Sequence, residues 1–156
     1  MNIRFTLTII GIFFLLSISK IYANPTGKSV SCHSTLKENL NYKNYKGISF
    51  ETEKSVRVVT LKMKNNKLKV VSKLTPYKIK KNNIYFKIKF IWYGNIFFEE
   101  FNLNRDNLDL INNSKNQVRQ LKCKVINGDF MAEMNKVKEK YQSIFQQGVG
   151  EKINSF

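Results

Sequence analysis

Chemistry in this chain would have to come from two cysteines, one histidine, a carboxylate that the hydrophobic pattern turns inward, and a block of lysines. Cys32 and Cys123 stand near the two ends of the domain, and in an oxidising compartment such a pair favours a disulfide over two unrelated buried thiols. On the chain-entropy model a loop that long is worth roughly 4–5 kcal/mol. With His33 the cysteines supply too few ligands and no paired spacing, so no metal centre is expected. His33 has no nucleophile or orienting acid at a recognisable spacing, as a general base requires, and reads as a surface residue beside a structural cysteine. Glu99 falls on an inward position of a strand. A buried carboxylate is costly unless paired, so it points to a polar ligand, a buried Lys or Arg partner, or a bulge near Glu99-Glu100 that turns both acids outward, and the bulge is the expectation. No catalytic constellation emerges, so no enzyme activity and no cofactor are predicted.

The element that must position Glu99 is Ile84 to Phe101, IYFKIKFIWYGNIFFEEF, which alternates apolar and charged residues about a Gly-Asn pair. Period two puts Ile84, Phe86, Ile88, Phe90 and Trp92 on one face, the buried one, of a β-hairpin. A Gly94-Asn95 turn would pair Trp92 with Phe97, Phe90 with Glu99, Lys89 with Glu100 and Ile88 with Phe101. Phe90, Trp92, Phe97 and Glu99 are thereby the candidate interior ligand residues. Tyr85, Ile91, Tyr93, Ile96 and Phe98 form a second, outward patch, most simply covered by a C-terminal helix and otherwise an interaction site.

Ser55 to Ser72 predicts another hairpin, about an Asn65-Asn66 type I′ turn, with Met63 opposite Leu68 and Leu61 opposite Val70. Lys62, Lys64, Lys67 and Lys69 share its other face, expected to be a solvent-facing surface. Pro76 is expected to separate this hairpin from a strand starting at Tyr77, which an Asn82-Asn83 turn would pair with the organising hairpin, Tyr77 with Ile88 and Ile79 with Phe86. Short strands are also expected at 28–35, 48–52, 108–111 and 117–126, with a polar loop at 112–116. From Asp129, an N-cap, Phe130, Met134, Val137, Tyr141 and Ile144 recur at helical spacing toward a stop at Gly148, an amphipathic helix over about 129–147.

The first 23 residues follow a signal-peptide plan: Arg4, an apolar run from Phe5 to Leu16, and a small residue at Ala23. Cleavage before Asn24 is expected, with an uncleaved anchor as the rival, and residues 24–156 make a single domain. Removing Arg4 and Lys20 takes the formal +16 to about +14. Lys far outnumbers Arg amid abundant Asn and Ile, so much of this charge is compositional, and there is no strong nucleic-acid signature.

The segment FNLNRDNLDL followed by QLKCKV resembles the closing strands of small exported two-cysteine β-proteins of Gram-negative bacteria. The resemblance covers Phe101 to Val125 and implies a periplasmic, disulfide-closed β-domain with Arg105 stabilising a turn. Similar two-cysteine barrels include periplasmic lysozyme inhibitors, none of whose loop motifs occur here. The expected fold is mainly β, an antiparallel meander forming a small barrel or strongly curved sheet, with one C-terminal helix. Two function classes follow. One is a periplasmic or secreted non-enzymatic binding protein holding an apolar small molecule in the interior or an envelope protein at its loops. The other is a basic protein meeting an anionic surface through Lys62, Lys64, Lys67 and Lys69; inhibition of a secreted hydrolase is a further alternative. Salt separates the first two, because only the charge-driven contact weakens steeply with ionic strength.

Overall fold

The computed structural model describes residues 24–34, 42–92, 95–114 and 117–153. Its strands are β1 (Ser29–His33), β2 (Lys46–Phe50), β3 (Ser55–Lys64), β4 (Lys67–Lys80), β5 (Asn83–Trp92), β6 (Asn95–Asn104), β7 (Asp109–Ser114) and β8 (Gln117–Val125), followed by a helix, α1 (Phe130–Ile153). Each strand pairs antiparallel with the next, and β8 returns to β1, closing an eight-stranded barrel. Closure gives every strand two neighbours, although β4 and β5 pair only over Tyr77–Lys80 and Asn83–Phe86. Cys32 and Cys123 face each other in the closing pair, bonded, with Cα atoms 3.9 Å apart. The expected barrel with one terminal helix is what forms. No helix among the described residues is long and apolar enough to cross a membrane.

Turn chemistry sets most registers. Asn65 and Asn66 both take positive φ, 52° and 57°, as a type I′ turn demands, and Met63–Leu68 and Leu61–Val70 pair as expected. Two turns sit one residue earlier than the sequence suggests. Lys81, at φ 53°, and Asn82 make the β4–β5 turn, pairing Tyr77 with Phe86 and Ile79 with Ile84. In β5–β6 Trp92 pairs with Asn95, so Phe90 faces Phe97, Ile88 faces Glu99, Lys87 faces Glu100 and Phe86 faces Phe101. That register stacks two aromatic pairs, Phe86–Phe101 at 5.1 Å and Phe90–Phe97 at 5.6 Å, and brings Lys87 to 2.6 Å from Glu100. A one-residue shift of the turn moves each partner by two, so every side chain keeps its face. No bulge interrupts the pairing at Glu99 and Glu100, and Glu99 points inward.

Pro76 does not end a strand. It lies within the fourteen residues of β4, opposite Ser55 of β3, but the ladder to β5 runs only from Tyr77 onward. Proline has no N–H to offer a neighbouring strand. Before it, side chains replace the ladder: Thr75 Oγ1 donates to the Lys87 carbonyl at 2.6 Å, and Lys73 Nζ donates to the Lys89 carbonyl.

The interior is filled at one end only. Phe50, Val56, Tyr77, Ile84, Phe86, Phe101, Leu103 and Leu110 are buried within one cluster, with Phe50 and Tyr77 edge to face at 5.3 Å. This is the closed end, where the β2–β3, β4–β5 and β6–β7 turns lie. Helix α1 starts there, its Asp129 carboxylate accepting from the Ala132 N–H at 2.7 Å as an N-cap, and continues past Gly148. It does not cover β5 and β6. Phe130, Met134, Val137 and Tyr141 pack instead with Tyr45, Val59, Leu61, Leu68 and Val70, on the outer face of β2–β4, while Ile144 stays exposed. Gly47 permits the contact, since a Cβ there would collide with Met134 Sδ and stand 3.2 Å from a Phe130 ring carbon. Consequently the apolar face of the β3–β4 hairpin looks outward under the helix. The face bearing Lys62, Lys64, Lys67 and Lys69 is solvent-exposed, as expected, but it continues the barrel's inner face at the mouth and is not its outer surface.

Candidate functional site: a cationic barrel mouth

Beyond the packed cluster, toward the β1–β2, β3–β4, β5–β6 and β7–β8 connections, the inward positions change from aliphatic to charged. The period of two continues unbroken. Val58 is followed inward by Thr60 and Lys62 on β3, Ile48 is preceded by Lys46 on β2, Leu121 by Arg119 on β8, and Leu110 is followed by Asn112 on β7. These residues, with Val71, Lys73, Ile88, Phe90 and Glu99, line a cavity of about 510 Å³. Lys62, Lys73 and Arg119 are exposed, so the cavity opens to solvent at this end. Eight-stranded barrels have just enough interior for side chains or one small ligand, and here the lower half takes the first course and the upper half the second.

Two groups in the wall are held at an energetic cost. Lys46 is 8% exposed. Its ammonium donates to the Lys43 carbonyl at 3.3 Å and lies 4.0 Å from Glu99 Oε2. Burial pulls its pKa below the usual lysine value, Glu99 partly restores it, and Arg119 and Lys62 lower it again. Asn112 is 7% exposed, and its Oδ1 has no hydrogen-bond partner. A buried amide oxygen left unpaired costs about 1–3 kcal/mol, which a donor in the cavity removes. The amide can also turn to offer its N–H₂ to an acceptor. Arg119 is steadied by Asn44 Oδ1 at 2.9 Å.

Of the residues singled out from sequence, Glu99, Phe90 and Lys62 line this cavity together, and Phe97 stacks on Phe90 at 39% exposure. Glu99 finds the buried cation that was one of its expected explanations, and the favoured outward turn is wrong because the ladder stays regular. Lys64, Lys67 and Lys69 extend the same face to the rim; the side chain of Trp92 lies outside the described part of the structure, as does Tyr93. His33 is exposed. Lys46, Lys73, Asn112 and Arg119 were missed. All four obey the inward alternation of their strands, but reading β2 from Ile48, β4 only to Ser72 and β7 only to Ile111 cut three of them off. Among the described residues no cluster of His, Cys, Asp or Glu could hold a metal ion. The chain matches no protein-family model, no curated protein and no solved structure.

Proposed function

We propose that the protein is an exported, non-enzymatic binding protein that holds one small amphipathic molecule in the open half of its barrel, acidic group against Lys46, Lys62 and Arg119 and apolar part against Val58, Val71, Ile88, Phe90 and Leu121. The carrying observation is the buried Lys46–Asn112 wall, a cation drawn below its ordinary pKa and an unpartnered amide oxygen in one apolar cavity. The cavity's size falls within the range of roughly 300–1,000 Å³ typical of small-ligand sites. A carboxylate or phosphate would stabilise the charged form of Lys46 and offset its desolvation. The Cys32–Cys123 bond supports an oxidising compartment, periplasmic or extracellular, and agrees with the signal-peptide plan of the first 23 residues.

The test compares decanoate, decanol and decylamine as ligands of residues 24–156 by calorimetry and thermal unfolding. Decanoate is expected to bind and raise Tm by several degrees at concentrations near 100 Kd, where linkage supplies about 2.7 kcal/mol. Lys46→Met should abolish the preference for decanoate over decanol. Equal binding of the two by the wild-type protein, or no binding by either, would overturn the proposal.

A further inference from the structure

The outer face of the β5–β6 hairpin, left bare because α1 packs elsewhere, stands at the open end beside the lysine rim. Ile91 and Ile96 face each other across the ladder at 69% and 54% exposure, and Phe98, 53% exposed, faces Lys89. Leu74, 59% exposed, lies on the outer surface of β4 beside Lys73, whose ammonium reaches β5. Large apolar side chains grouped in this way mark a contact surface rather than ordinary solvent-facing scatter.

The distribution of charge along the barrel identifies what that surface meets. At the closed end acids and cations are mixed: Glu51, Glu53, Asp106, Asp109 and Asp129 stand among Lys54, Arg57, Lys78, Lys80 and Lys122, while Glu133 and Glu139 lie along α1. At the open end the strand acids Glu99 and Glu100 each stand by a lysine, at 4.0 and 2.6 Å, while Lys62, Lys64, Lys67 and Lys69 crowd one hairpin. An apolar tip flanked by a run of lysines on one hairpin is complementary to a surface that is anionic outside and apolar just beneath. A bilayer containing anionic lipid has that profile: apolar side chains enter the boundary between headgroups and chains, and lysines meet phosphates.

We infer that the open end docks on an anionic lipid bilayer, with Ile91, Ile96 and Phe98 entering the headgroup region and the Lys62–Lys69 face lying against the phosphates. The mouth of the cavity then faces the membrane. The inference stands on the surface alone and does not require that the cavity bind decanoate.

Vesicle sedimentation of residues 24–156 provides the test, with phosphatidylcholine alone or doped with phosphatidylglycerol. The protein is expected to partition onto the doped vesicles and scarcely onto neutral ones. Each of Lys64→Glu and Lys67→Glu should weaken partition at least about fivefold, and added salt should weaken it further. Ile91→Asp with Phe98→Asp should weaken it at least about tenfold. Lys46→Met should leave it unchanged, which separates surface docking from uptake of lipid into the cavity. Trp92, the only tryptophan and the last residue of β5, provides a readout free of mutation: its fluorescence should be quenched by brominated lipid in doped vesicles. Equal partition onto both vesicle types, none onto either, no quenching of Trp92, or loss of partition in Lys46→Met would overturn the inference.

Discussion

Replacing either cysteine by serine tests the closure of the barrel. The two positions are 91 residues apart in sequence and face each other where the last strand meets the first. Cross-linking such a loop removes about 16 cal/mol/K from the unfolded chain, or about 4.6 kcal/mol at 25 °C. Against a typical domain stability of roughly 5–15 kcal/mol, that is a large share. Cys32 is fully buried and Cys123 nearly so, so each serine also buries a hydroxyl, although two serines facing across the ladder can bond to one another. Cys32→Ser and Cys123→Ser should each lose about 3–5 kcal/mol, and the double variant should be hardly worse, since one bond is lost only once. Urea titration of all four proteins measures this, and the urea m-value should rise in the variants as the unfolded chain expands. Losses in the double variant equal to the sum of the singles, or two titratable thiols in the denatured protein without reductant, would refute the reasoning.

Gly47→Ala should cost about 1–3 kcal/mol by pushing against Met134 and Phe130, and Met134→Ala in the same chain should recover part of that loss. A double-mutant cycle in urea checks the coupling; additive losses would mean that the helix does not rest on Gly47. Lys46→Met should raise the stability of the ligand-free protein by about 1 kcal/mol near neutral pH while removing decanoate binding. The sign for Lys46 is set by its lowered pKa: between its folded value and the ordinary 10.5 the unfolded chain holds the extra proton, so stability rises with pH there, and Lys46→Met should remove that rise. Tyr45 acts in the opposite sense. Burial pushes its phenol from 10.0 up to about 12, so across that window the unfolded chain gives up a proton that the folded one keeps; stability falls, and Tyr45→Phe should flatten this alkaline limb of a pH–urea series.

What was legible in the sequence is what a period of two and the turn residues encode. The Asn65-Asn66 turn, the inward row Ile84–Phe86–Ile88 and the facing cysteines all come from local rules. Where two adjacent residues could both make a turn, local rules do not choose. Gly94-Asn95 and a turn one residue earlier are both acceptable, and the decision falls to aromatic stacking two and six residues along the strands from the Trp92–Asn95 pair, Phe90 on Phe97 and Phe86 on Phe101. Pro76 misled for a related reason. Proline is excluded from a strand only where the one neighbour its N–H would face needs that donor, and β4 at that point has a ladder on one side alone.

The sense of the β3–β4 hairpin was not legible because alternation says that two faces differ, never which one is inside. Val59, Leu61, Leu68 and Val70 make as good a core face as any, and in an open sheet they would have been one. Closure decides the matter. The barrel needs Val56 and Val58 inside beside Phe50 and Tyr77, and strict alternation then sends Leu61 and Met63 out and Lys62 and Lys64 in. Helix α1 is the complement of that choice, covering the apolar residues that closure leaves outside, and because it is committed there it cannot also cover Ile91, Ile96 and Phe98. The same alternation that burys the core on β3 thus puts lysines at the cavity and rim, and leaves the β5–β6 hairpin bare beside them.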